Sequence, residues 1–168
     1  MTKHTTILAG LLASPLAAAD LAVSVDVPRL QVAEYHRPYV AIWVEGPGQT
    51  FSTNLAVWYD QQTNKNEAGT TWLKDLRSWW RKSGRDLKMP VDGISGATRP
   101  PGTHTLTVNA AKLSHLKPGS YELLVEAARE VGGREVLRIP FTWPATAAHS
   151  GNAQGQHELG RVVLNLKP

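Results

Sequence analysis

The sequence predicts a mainly β fold with one inserted amphipathic helix. Two observations carry that expectation: short apolar runs of period two recur between turn signals, and one stretch of helical period interrupts them. With 168 residues, 42% of them hydrophobic and 19% charged, the chain is long enough to bury a core of its own.

Met1 to Thr6 carries Lys3 and His4, Ile7 to Leu16 is apolar but broken by Gly10, Ser14 and Pro15, and Ala17-Ala18-Ala19 offers a small-residue cleavage pattern. Residues 1–19 therefore read as a secretory signal peptide cut before Asp20, and residues 20–168 as a single β-sandwich domain. No second apolar run is long enough to span a bilayer, so a soluble protein outside the cytoplasm is expected.

Leu21 to Val27 alternates apolar and polar residues like a half-buried strand, closed by Pro28. Tyr39 to Val44 is apolar on both parities, as in a central strand covered on both faces, and Glu45-Gly46-Pro47-Gly48 turns it into a returning strand, Thr50 to Tyr59. Asp60 to Gly69 is polar and reads as a loop. From Thr71 the period changes: Trp72, Leu73, Leu76, Trp79 and Trp80 recur at helical spacing, with Thr70 or Thr71 placed to cap the start and Gly84 to stop the end. That stripe, Trp72 included, is expected to pack on the sandwich, with Arg77, Arg81 and Lys82 off it and Arg85 and Lys88 following.

Beyond Gly102, the residues His104, Leu106 and Val108 share a parity, and Lys117-Pro118-Gly119 reads as a type II turn. Tyr121, Leu123, Val125 and Ala127 form the next strand. Gly132-Gly133 turns it into Glu135 to Trp143, where Pro140, lacking a donor, assigns the strand to an edge. Pro144 to Glu158 reads as a polar loop and Val162, Leu164 and Leu166 as the last strand. About seven short strands with turn signals fit an immunoglobulin-like β-sandwich, with a β-barrel as the alternative.

Composition removes several functions. Without cysteine there is no disulfide, lipid-modified Cys, c-type haem attachment or Cys-ligated iron–sulfur cluster, and with Met1 and Met89 alone there is no Met-rich copper site. His36, His104, His115, His149 and His157 lack the spacing that brings two rings to one metal. The formal net charge of +4, or +3 once Lys3 is removed, is too mild to argue for nucleic acid or an anionic membrane. Ser95 does not make a hydrolase nucleophile, because Ala97 stands where the second glycine of a nucleophile elbow belongs.

The chemistry concentrates in Val91 to Gly102, a stretch with glycine, proline and small polar residues that reads as an exposed loop stiffened by Pro100-Pro101. Within it, Asp92-Gly93-Ile94-Ser95-Gly96-Ala97-Thr98 resembles the D-x-x-[ST]-G-A-T signature of periplasmic flavin-carrier domains, such as the FMN-binding subunits of the sodium-pumping quinone reductase and the Rnf complex. The resemblance implies FMN held by a phosphoester on Thr98, attached by a flavin transferase that takes FMN from FAD. Asp92, Ser95, Gly96 and Ala97 complete the motif, and the chain departs from it after Thr98, where Arg99-Pro100-Pro101 replaces the frequent Ser or Thr. A flavin at Thr98 needs an aromatic shelf and a positive environment; Trp79 and Trp80, with Arg77, Arg81, Arg85, Lys88 and Arg99, are the candidates nearest in sequence.

A second resemblance covers most of the chain. Arg37 to Val44, the Trp72 to Arg81 segment, Ser95 to Gly102 and Val125 to Glu130 are similar to the periplasmic proteins grouped as domain of unknown function 2271. Members of that group tend to be encoded near flavin transferases and PepSY-type membrane reductases, which implies both as partners. The expectation is a periplasmic electron carrier more than a stand-alone enzyme. The alternative is a non-redox binding module whose Trp-rich helix and basic loop, through Arg81 and Arg99, dock a partner protein or a small anion such as a haem propionate.

Overall fold

Leu21, Val23, Val25 and Val27 are buried and the residues between them half-exposed, so the opening strand β1 (Asp20–Val27) has one wet face. The computed structural model describes residues 20–64 and 67–168, with backbone alone at 63, 64 and 67; residues 1–19, expected from the sequence to be a signal peptide, lie outside the described residues. There follow β2 (Tyr39–Gly46), β3 (Thr50–Tyr59), the two-residue strands β4 (Thr63–Asn64) and β5 (Glu67–Ala68), and a helical layer made of a 3₁₀ segment Gly69–Asp75, α1 (Arg77–Lys82) and a 3₁₀ turn Gly84–Asp86. Then come β6 (Ser95–Ala97), β7 (Gly102–Val108), a 3₁₀ turn Ala110–Leu113, β8 (Gly119–Ala128), β9 (Arg134–Trp143), β10 (His149–Gln154) and β11 (Arg161–Lys167).

The strands form two sheets, ordered β10-β11-β1-β7 and β6-β3-β2-β8-β9, with β4 and β5 a separate small ribbon. This is a sandwich and not a barrel. The pairing of β1 with β7 in one sheet and of β2 with β8 in the other follows the Greek-key order of an immunoglobulin-like sandwich, with the C-terminal β11 on the other side of β1. Val23, Ile42, Trp58, Val125, Phe141 and Leu164 interdigitate between the sheets. A second cluster lies on the outer face of the five-stranded sheet, where Leu73, Leu76 and Trp79 of the helical layer cover Ala41, Trp43, Val57, Tyr59 and Leu124. That layer is why β2 is buried on both parities. Pro140 does sit in an edge strand, β9.

Several local expectations are corrected. The single helix is three short pieces, interrupted at Leu76, whose ψ of 68° leaves the helical region. The cause is Glu126, fully buried on β8, whose carboxylate accepts from the backbone N–H groups of Ser78 (3.0 Å) and Trp79 (2.8 Å) and so starts a new helix there. Neither Thr70 nor Thr71 caps; the residue before the first 3₁₀ segment is Ala68, with no side-chain cap bond. Gly84 does not end a helix by a left-handed turn: a Cβ there would lie 2.5 Å from the Trp79 ring, so the glycine makes room for the indole.

Lys117-Pro118-Gly119 is not a type II turn, because Gly119 lacks positive φ and already pairs with Trp143 as the first residue of β8. The hairpin after β8 exists, but Arg129–Gly133 forms a five-residue connection in which Val131, not a glycine, is left-handed (φ 53°). Gly132 and Gly133 instead admit the Arg129 guanidinium and the Glu158 carboxylate, each within 2.7 Å of where a Cβ would stand. The polar stretches 60–69 and 144–158 hold β4, β5 and β10, strands whose polar composition hides the period-two signal.

Candidate functional site

The motif loop is built more tightly than its composition suggests. Val91 O accepts from the N–H groups of Ile94 (3.4 Å) and Ser95 (3.0 Å), and Ser95 Oγ accepts in return from Val91 N–H at 2.8 Å. Gly93 supplies the left-handed residue of this turn, φ 75°, and its carbonyl accepts from Lys112 Nζ at 2.6 Å. Lys112 also reaches Leu55 O, and burial pulls its ammonium below the usual lysine range. Ile94 plugs the outer cluster.

The chain then runs as β6, parallel to β3 at the sheet edge, where a Cβ on Gly96 would come within 3.2 Å of Trp58 Cδ1. The motif residues thus each serve the local structure, Ser95 by stapling the turn, Gly96 by clearing an indole and Ala97 by pairing with Tyr59. Thr98 follows directly, its N–H donating to Tyr59 O at 3.2 Å. Its hydroxyl takes part in none of the side-chain hydrogen bonds found among the described residues.

Thr98 lines a cleft of about 450 Å³ formed by the end of β3, the 3₁₀ segment, the entry to β2 and the end of β8. Tyr39 and Trp72 are its aromatic walls. The Tyr39 hydroxyl donates to Gly69 O at 2.9 Å, and burial pushes it up to about 12, so this wall stays neutral at ordinary pH. Gly69 brings the helical layer against the end of β3; a Cβ there would collide with Asp60 O.

Arg37, Arg129, His36, Asp60, Asp75 and Glu130 are the charged and titratable residues of the lining. Arg129 is already neutralised by a bidentate pair with Glu158 at 2.9 and 3.2 Å, both side chains being almost wholly buried, and His36 sits 2.9 Å from Glu34 and 3.5 Å from Glu130. With Arg129 held by Glu158, Arg37 is left against Asp60, Asp75 and Glu130, so the cleft is acidic on balance, not basic as expected.

The aromatic side chains that line the cleft are not the ones expected. Trp72 is 37% exposed in place of packing into the core, while Trp79 is fully buried and donates its indole N–H to Asn54 at 2.8 Å. Trp80 is half-buried against the outer cluster and Arg81 is exposed on α1; neither lines the cleft, nor do Arg77, Arg85 and Lys88. Arg99 does not line it either: its guanidinium lies 5.3 Å from the Trp58 ring centre, where His104 meets the same indole edge-on and bonds Pro100 O at 2.7 Å. Arg99-Pro100-Pro101 is the corner by which the chain leaves the edge of one sheet at β6 and enters the edge of the other at β7. Asp92 is exposed at the tip of the turn.

No single period in the sequence places Trp72: Leu73, Leu76 and Trp79 recur every third residue, but Leu73 lies in the 3₁₀ segment, Leu76 at its break and Trp79 on α1. His36, Tyr39, Arg129 and Glu130 meet Thr98 through strand pairing alone, and nothing in their spacing announces it.

The family described as a predicted periplasmic protein (DUF2271) matches residues 20–161. The chain belongs to this family. Its address is accordingly the periplasm, and among the described residues no helix is long and apolar enough to cross a membrane. No curated protein and no solved structure matches the chain.

Proposed function

We propose that this DUF2271 protein is a periplasmic flavin carrier, with FMN attached as a phosphoester to Thr98 and lying in the cleft against Trp72 and Tyr39. The observation that supports the reading is the position of Thr98. The last residue of a motif resembling the flavin-attachment signature is also the motif residue that opens into a cleft with two aromatic walls.

The residues present fit the group. The cleft volume is within the roughly 300–1,000 Å³ range of small-molecule sites, Trp72 offers an exposed indole face, and the acceptor hydroxyl is not spent on an internal bond. In attachment, Thr98 Oγ gives its proton to the transferase and bonds to the FMN phosphorus of FAD, with AMP leaving. The stapled Val91–Ser95 turn holds the loop, the β6 ladder fixes the Thr98 backbone, and exposed Asp92 is free for the transferase to recognise. When bound, FMN supplies one- and two-electron transfer between a donor and an acceptor. The chain contributes position and surroundings, and a cleft lined by Asp60, Asp75 and Glu130 against Arg37 disfavours an anionic reduced ring.

The test is coexpression with a flavin transferase followed by mass spectrometry of the Thr98 peptide. An added FMN phosphoester on the native chain, absent from Thr98→Val, is the expected result. A transferase active on a known carrier that leaves this peptide unmodified overturns the proposal.

A further inference from the structure

The charge of the molecule is not evenly spread. Residues 69–88, the helical layer and its exit, hold six of the Lys and Arg residues and two carboxylates, Asp75 and Asp86; the rest of the chain holds twelve cations and twelve carboxylates. The whole formal excess of +4 therefore resides in one short layer on the outside of the five-stranded sheet.

All six cations are exposed. Lys82 leans back to Glu45 (3.7 Å) and the Gln49 carbonyl, and Arg85 lies 3.9 Å from exposed Asp86. Lys74, Arg77, Arg81 and Lys88 have no carboxylate within ion-pair distance among the described residues, as is also true of Arg37, Arg99 and Lys167 elsewhere; what sets the layer apart is that its unpaired cations stand together. Arg77 and Arg81 stand four apart on α1, where like charges repel and weaken the helix.

At one end of this layer Trp72 lies 37% exposed, with the Lys74 ammonium 5.8 Å from its ring centre. Tryptophan is among the residues most enriched at protein-interface hot spots, and this one is exposed beside a layer of cations. A lipid surface would call for a broad apolar face beneath the cations, and here the leucines of the layer, Leu73 and Leu76, are turned inward and buried.

We propose that residues 69–88 form the docking face for a protein partner with an acidic surface, anchored at its edge by Trp72. This does not depend on the flavin reading. Because Trp72 also walls the cleft, a partner seated here stands next to whatever the cleft holds.

The probe is a short polyglutamate peptide titrated into the isotope-labelled chain and followed by amide and indole NMR shifts. The expected shifts concentrate in residues 72–88, and binding weakens as salt rises from about 50 to about 200 mM. The charge-reversed Arg77→Glu/Arg81→Glu/Lys88→Glu chain should bind at least about tenfold more weakly, while Arg161→Glu/Lys167→Glu on β11 stays within about twofold. Thermal melts of both variants check the fold, and a triple variant that unfolds is replaced by Arg81→Gln/Lys88→Gln, for which a smaller but measurable loss is expected. Shifts spread over both sheets, or equal losses in the two variants, overturn the proposal. So does binding of the native chain to phosphatidylglycerol vesicles but not to the peptide, which assigns the face to a lipid surface.

Discussion

Replacing Glu126 tests how the helical layer is held to the sheet. The side chain is fully buried, and its oxygens accept three hydrogen bonds: from Ser78 N–H at 3.0 Å, Trp79 N–H at 2.8 Å and Arg134 Nε at 2.7 Å. Glu126→Ala leaves two backbone N–H groups unpaired under the layer, each costing about 1–3 kcal/mol. Arg134 is 35% exposed and returns to water, so its share is small. The expected loss is about 3–5 kcal/mol, a large part of the roughly 5–15 kcal/mol that holds a typical domain. Glu126→Gln keeps the shape and lets its oxygen serve Ser78 and Arg134, but points an NH₂ at the Trp79 N–H, so a loss of about 2 kcal/mol is expected. Urea denaturation followed by circular dichroism and tryptophan fluorescence measures both, and native-state hydrogen exchange should show the Ser78 and Trp79 amides losing protection first. A loss under about 1 kcal/mol for the alanine variant, or a glutamine variant weaker than the alanine one, would refute the reasoning.

Two further outcomes are expected. Burial pushes the Glu135 carboxyl up, but four backbone N–H groups, of Gln156, Leu159, His157 and Glu158, outweigh it and hold the group below the usual carboxylate range. Its stabilisation is therefore fully present above the unfolded value of about 4.3 and fades as pH falls through the lower folded value. Glu135→Gln should cost about 1–2 kcal/mol at neutral pH, and its deficit against the native chain should shrink between about pH 5 and pH 2; a deficit independent of pH would count against this account. At the hairpin tip, Val131 is 81% exposed with φ 53°, a conformation that penalises a β-branched residue. Val131→Asn should raise stability by about 1 kcal/mol, visible by calorimetry as a midpoint higher by a few degrees, and an unchanged or lower midpoint argues against strain there.

The period-two strands were legible because alternation along one strand is a local property. β1, β7, β8, β9 and β11 show it in Val23 and Val25, Leu106 and Val108, Leu123 and Val125, Ile139 and Phe141, and Val162 and Leu164. So was the two-faced burial of β2, since apolar residues on both parities require two covers. The helix was legible only as an apolar stripe. Its breaks depend on Glu126, a carboxylate about fifty residues further on that no local window contains. β10 was hidden because an edge strand of polar residues, His149 to Gln154, is held by its ladder to β11 and not by burial.

Of the site, the sequence by itself determined the candidate acceptor, Thr98, and the turn-forming residues ahead of it, because a short motif is contiguous and its chemistry is local. It also determined the excess of cations between residues 69 and 88. What those features face was decided only by the tertiary structure. Parallel pairing of β6 with β3 carries Thr98 to Tyr59 and the cleft, and the buried Glu126 sets the register of α1, which buries Trp79. The break at Leu76 puts Leu73 and Trp79 on separate helical pieces, both buried, and leaves Trp72 at the cleft wall. Strand pairing and a buried carboxylate act between residues far apart in the chain, so neighbours in sequence such as Trp80 and Arg99 parted from the site while Tyr39 and Arg129 arrived at it.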